Sequence, residues 1–182
     1  MPSNPSWSRI RSHLLTLNKD DLLKVIQDLY QLNNDNKVFL NSHLGMGDPE
    51  TLAQPYRKTI KQVFNPDRGF PSLSLRAARK ALNDFRKASA NPGAIVDMML
   101  YYVEQGVACT NEYGDINEAF YNSLEGVFED AVGLINKTGS PEMTEAFRSR
   151  VEQIIKDTSG IGWGFHDFIS DVYQVQYPSE DG

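Results

Sequence analysis

Apolar residues return every three or four positions along most of the chain, the spacing of helices with one apolar face. Leu22, Leu23, Ile26, Leu29 and Tyr30 form the first clear stripe, and Asn18 stands where its side chain can cap that helix. Asn33 to Asn36 breaks the pattern, and Val38, Phe39 and Leu40 mark a short helix stopped by Gly45 and Gly47. Asp48-Pro49-Glu50 then supplies a cap, a first-turn proline and a dipole-favourable acid. Leu52, Tyr56, Ile60, Val63 and Phe64 share one face of the helix that follows, until Asn65-Pro66 ends it.

A turn-rich stretch, 65–72, precedes a basic helix whose inner face is Leu75, Ala78, Leu82 and Phe85. Asn91-Pro92 restarts the periodicity through Ile95, Met98, Met99, Tyr102, Val103 and Val107. Asp115 with Glu118 three residues on reads as a capping box for the next helix, which runs to Ile135 with Gly139 after it. Ser140-Pro141-Glu142 opens another, and the junction Ser159 to Gly164 leads into a last helix closing near Pro178. No stretch alternates with period two long enough to require a sheet. The expectation is an all-α protein, a compact bundle of about seven to eight helices with short connections. It forms a single domain over residues 1–182, with 1–16 and 178–182 loosely ordered.

Composition narrows the setting. With 182 residues and 40% hydrophobic content the chain can bury a core without staples. Cys109 is the one cysteine, which excludes an intramolecular disulfide and a cysteine-based zinc cage. No apolar run, the stretch from Met98 to Tyr102 included, approaches the ~20 residues that span a bilayer. The first thirteen residues hold no apolar core of signal-peptide length. A cytoplasmic, bacterial-type protein with no membrane partner is the simplest expectation.

Charge divides unevenly. Between Arg57 and Lys87 nine basic residues face only Asp67 and Asp84, net +7, which leaves −13 on the rest of a chain whose overall charge is −6. Such a division is expected to pair off inside one fold, and the acidic remainder argues against nucleic acid as a partner.

Two polar and aromatic clusters are the candidate site. Tyr101, Glu104, Asn111, Tyr113, Asp115, Asn117 and Tyr121 flank one tight interhelical connection, where they could form the rim of a pocket. Each also has a structural duty open to it, as a helix cap or a packed ring. In the second, Gly160 to Asp167, the glycines before a helix could expose N–H groups to an anion. Their spacing matches neither phosphate-loop fingerprint, and the plainer reading is that they let Trp163 and Phe165 enter the core. His166 beside Asp167 could act as a general base or a metal ligand. It has no second histidine at ligand spacing, and Cys109 and Ser159 lack the context of a nucleophile. No catalytic residue, metal or cofactor is therefore expected.

Several stretches carry a family resemblance: Phe64-Asn65-Pro66-Asp67-Arg68-Gly69, Met99 to Val107, Tyr113 to Glu118 with Phe120-Tyr121, and Thr158 to Asp167. Over roughly Leu17 to Tyr177 the chain resembles an uncharacterised bacterial family of small all-helical proteins, a domain of unknown function. The resemblance implies a helical fold and no assigned activity, cofactor or site residue. The expected role is a non-enzymatic helical interaction module that binds a protein partner or forms a homo-oligomer. The alternative is a small-molecule-binding protein or hydrolase with a pocket between 101–121 and 160–167, using Glu104, Tyr113, Asp115, Trp163, His166 and Asp167.

Overall fold

The computed structural model describes residues 5–138 and 140–176. Among them lie nine helices and no strand: α1 (Trp7–Leu14), α2 (Lys19–Leu32), α3 (Asn34–His43), α4 (Pro49–Phe64), α5 (Leu75–Ala88), α6 (Pro92–Tyr113), α7 (Glu118–Thr138), α8 (Pro141–Asp157) and α9 (Phe165–Gln176). The helix beyond the expected seven to eight is α1. It carries no start signal that a sequence reading can use, because Ser6 makes no side-chain cap and its first turn holds no acid. Gly139, Pro178 and the segment 178–182 lie outside the described residues.

Among the described residues six helix starts carry a side-chain cap, including that of α3, where Asn33 accepts the Asn36 N–H at 2.8 Å. Asn18 accepts the Asp21 N–H at 2.8 Å, Asp48 that of Thr51 at 2.9 Å, Asn91 that of Ala94 at 3.1 Å and Ser140 that of Met143 at 3.2 Å. Each such cap contributes about 1 kcal/mol to its helix. The capping box at Asp115 does not form. Helix α7 begins at Glu118 and Asn117 caps it, accepting the Phe120 N–H at 3.0 Å. Asp115 instead accepts the Tyr121 hydroxyl at 2.9 Å, a partner that only the folded connection brings within reach.

The core is built around α6, which packs against α4, α5, α7 and α8. Its buried residues, from Val96 through Met99 and Tyr102 to Cys109, point in every direction around the helix, as suits an element enclosed on all sides. Phe64 of α4 meets Tyr102 and Phe120 edge to face, with ring centroids 5.2 and 5.6 Å away. At Gly106 helix α6 lies close against Leu124 of α7. A Cβ there would collide with a methyl of Leu124, itself fully buried, so only glycine fits without repacking. The Tyr102 hydroxyl shares a hydrogen bond of 2.8 Å with Ser123, which also accepts from Arg79 at 3.1 Å, so this buried polar pair is satisfied.

The first three helices stand apart from this arrangement. Helix α3 packs on α5 and buries Val38, and α2 packs on α3. Helix α1 makes no substantial contact with another helix among the described residues. Neither α1 nor α2 contains a buried residue.

Candidate functional site

The two sequence-predicted clusters meet in part. The ring of Tyr121 lies 5.2 Å from that of Phe165, both fully buried, which joins α7 to the start of α9. On the same seam Gly162 approaches Asp115 so closely that a Cβ would sit 3.1 Å from its carboxylate oxygen. Asp115 and Tyr121 thus face the 160–167 junction. They face it as packed, hydrogen-bonded structure, with the Tyr121 hydroxyl also accepting the Ile116 N–H at 3.4 Å. Burial and the neighbouring carboxylate hold the Tyr121 phenol above its ordinary pKa, so it stays a neutral donor.

The other candidates are dispersed. Asn117 caps α7. Tyr113, half-exposed, lies 6.4 Å ring to ring from Phe70. Asn111 donates to the Asp157 carbonyl at 3.0 Å and ties α6 to the end of α8. His166 shares a hydrogen bond of 2.8 Å through Nδ1 with the buried Thr158 hydroxyl, and Asp167 is exposed. Trp163 does not enter the core as its bulk suggests. Its φ is +64°, a left-handed conformation between two glycines, and its side chain is 62% exposed. Phe165, expected to enter the core beside it, is fully buried there. Glu104 and Asn111 do share a groove of about 420 Å³ with Val107, Glu112, Ile154 and Asp157. Among the described residues no group of three or more His, Cys, Asp and Glu is placed to hold a metal ion. Cys109 is buried within α6, and burial pushes its thiol up to about 11, which removes thiolate reactivity at neutral pH.

Glu104 and Tyr101 belong to a different constellation, one that the sequence did not reveal. Arg150 of α8 donates to Glu104 at 2.8 Å and to both the carboxylate and the backbone carbonyl of Asp97, all on α6. Arg57 of α4 pairs with the same Asp97 and stacks 4.6 Å from the Tyr101 ring centre. Two arginines and two carboxylates thereby bolt α4 and α8 to α6. Burial by itself would lower the Arg150 guanidinium, and pairing with Glu104 and Asp97 overrides it and raises the group above its ordinary value. The same accounting extends to the basic segment. Lys61 pairs with Asp67, Lys80 with Asp84 and Arg86 with Asp130, so several of its charges are matched inside the fold.

A family of unknown function, DUF6155, matches residues 6–175. The chain belongs to that family. No curated protein and no solved structure gives a significant match to it. The DUF6155 match begins before α1, so all nine described helices fall essentially within one family unit and the N-terminal three are no foreign appendage.

Those three helices and their connections hold most of the large apolar side chains exposed among the described residues. Of the sixteen large hydrophobic side chains exposed among the described residues, twelve lie between Trp7 and Met46. They include Leu15, Leu23, Leu29, Leu32 and Phe39, exposed by 44–72%. No helix of the described residues is long and apolar enough to cross a membrane. A groove of about 280 Å³ runs between α2 and α3, lined by Ile26, Leu29, Asn36, Phe39 and Leu40. Asn36 donates to the Leu29 carbonyl at 2.6 Å and accepts no burden from the groove, because its amide is already bonded to the helix end. What lines the groove is therefore mainly hydrocarbon. A single exposed leucine is ordinary; such a concentration within one segment marks a surface built to be covered.

Proposed function

We propose that the chain is a non-enzymatic helical interaction module whose docking surface is the arm formed by α1, α2 and α3. The observation that carries this reading is the concentration of exposed hydrocarbon within residues 7–46, which contribute only Val38 to the buried core. Covering such a surface removes apolar area from water, the main driving force of protein association. The rest of the surface offers less: its charged network is spent on clamping α4, α6 and α8 together. The reading places the chain in the cytoplasm of a bacterial cell, supported by its lone buried thiol.

Light scattering on the purified full chain, combined with capture from native lysate and mass spectrometry, tests the reading. The expected outcome is an assembly, with itself or with a captured protein, that a double substitution Ile26→Glu/Leu29→Glu abolishes. A strict monomer that captures nothing overturns it.

A further inference from the structure

We infer that the occupant of the arm is a second copy of this chain, docked α2 to α2 across a two-fold axis so that two α2–α3 hairpins form a four-helix bundle. The inference rests on the reading of the arm as an interaction surface and names its partner.

The shape of α2 is the first argument. On a helical projection Leu22, Leu23, Val25, Ile26, Leu29, Tyr30 and Leu32 span about half of its circumference, while Lys19 aside its charged residues gather on the other half. One neighbouring helix covers only part of so wide a face, and among the described residues α3 is the only helix that packs substantially on α2. An apolar arc of this width is what a helix in a four-helix bundle needs, since it touches two neighbours. Among the described residues no second helix takes the other neighbour's place. Helix α3 shows the same incompleteness, with Val38 turned into the core and Phe39 44% exposed beside the groove.

Self-pairing satisfies both deficits at once. In a two-fold arrangement each α2 lays its open flank along the α2–α3 groove of the other copy, and every contact occurs twice. The seven large apolar side chains exposed on α2 and α3, from Leu23 to Phe39, present on the order of 600 Å² of surface, most of the roughly 800 Å² per partner in a standard stable interface.

Charge selects among occupants. Residues 7–46 carry five Lys or Arg and four Asp, so two copies meet with almost no net repulsion. The polar side of α2 holds Asp20, Asp21 and Asp28 with Lys24, unlike the Lys- and Arg-rich face of a helix that lies on an anionic membrane. A polyanion is disfavoured for the same reason.

Sedimentation and light scattering of the full chain across a concentration series decide the matter. The expected result is a mass twice the 20.5 kDa of the chain, falling to one chain for Ile26→Glu/Leu29→Glu. Neither residue is buried in the chain, so circular dichroism and the melting temperature of the dilute variant should match those of the dilute parent. Hydrogen exchange on the unsubstituted chain gives an independent reading: amides of α2 should slow at least tenfold as concentration rises, with those of α6 unchanged. A chain that stays monomeric at about 100 µM with no slowing in α2 overturns the inference, as does a dimer indifferent to the double substitution. If that monomer instead captures an unlike protein through the arm, self-pairing falls and the interaction-module reading stands. If it captures nothing, both fall.

Discussion

Helices α2 and α4 are built to nearly the same local plan. Each is opened by a side chain that accepts the N–H three residues on, Asn18 for α2 and Asp48 for α4, and each carries acid in its first turn and a strong apolar stripe. Their fates differ. Helix α4 buries Ala53, Tyr56, Ile60, Val63 and Phe64 against α5 and α6, whereas α2 has no fully buried residue. Amphipathic periodicity therefore reports that a face requires cover, and is silent on whether the cover comes from the same chain. In the body of the molecule it does; in the arm it does not.

The sharpest way to break this comparison is to make matched truncations. Phe64→Ala removes a fully buried ring from between Tyr102 and Phe120 and should cost about 3–5 kcal/mol of unfolding free energy. Ile26→Ala in the arm should change the stability of the dilute chain by no more than about 0.5 kcal/mol. Urea denaturation at low protein concentration measures both. A comparable loss at Ile26 would mean that α2 is held against the body after all.

A smaller effect tests the clamp inside the body. Asp97→Ala leaves Arg57 and Arg150 facing each other without their shared carboxylate, although Glu104 still holds Arg150 and Glu50 lies 3.3 Å from Arg57. Because the arginines are 17% and 26% exposed, water compensates in part, and the expected loss is about 2 kcal/mol. It should appear in the urea transition of the body and leave the mass of the assembly unchanged. Loss of the dimer with Asp97→Ala would show that arm and body are one cooperative unit.

Most of the fold was legible because its signals are local. The caps at Asn18, Asp48, Asn91 and Ser140 and the stripes behind them need only neighbouring residues to act. Reading failed where a distant partner decides. Asp115 and Asn117 are both able to cap α7, and the choice is made by the Tyr121 hydroxyl, which claims Asp115. Asp97 and Arg150 stand 53 residues apart and follow no motif, so their network exists only once α6 and α8 are packed. Of the two candidate clusters, the contacts of Tyr121 with Phe165 and of Asp115 with Gly162 join across helices and had no local signal that paired them. The arm was legible only as helices. Its stripe at Leu22 to Tyr30 looks in sequence like any other core face, and its exposure is a property of the assembled chain.

The least expected change probes a place where the body tolerates a polar group at some cost. Glu125 lies partly buried on α7, and burial raises its carboxyl above the ordinary glutamate value. The folded chain therefore holds this proton to higher pH than the unfolded chain does. Stability from this group is intact below the ordinary glutamate pKa, falls as pH rises through the window up to the raised value, and stays reduced at neutral pH. Glu125→Gln removes the ionisation and should stabilise the body at neutral pH, by no more than about 0.5 kcal/mol because solvent still screens the side chain. The gain should vanish below the glutamate range, where both states are protonated, and melting curves of parent and variant across pH read it directly. Aligned with the arm, the outcome separates two costs: Glu125 is a polar group that the body encloses, and α2 is an apolar face that the chain leaves open. A stabilisation that grows with protein concentration would place Glu125 at the interface between copies, and one independent of concentration keeps it within the body.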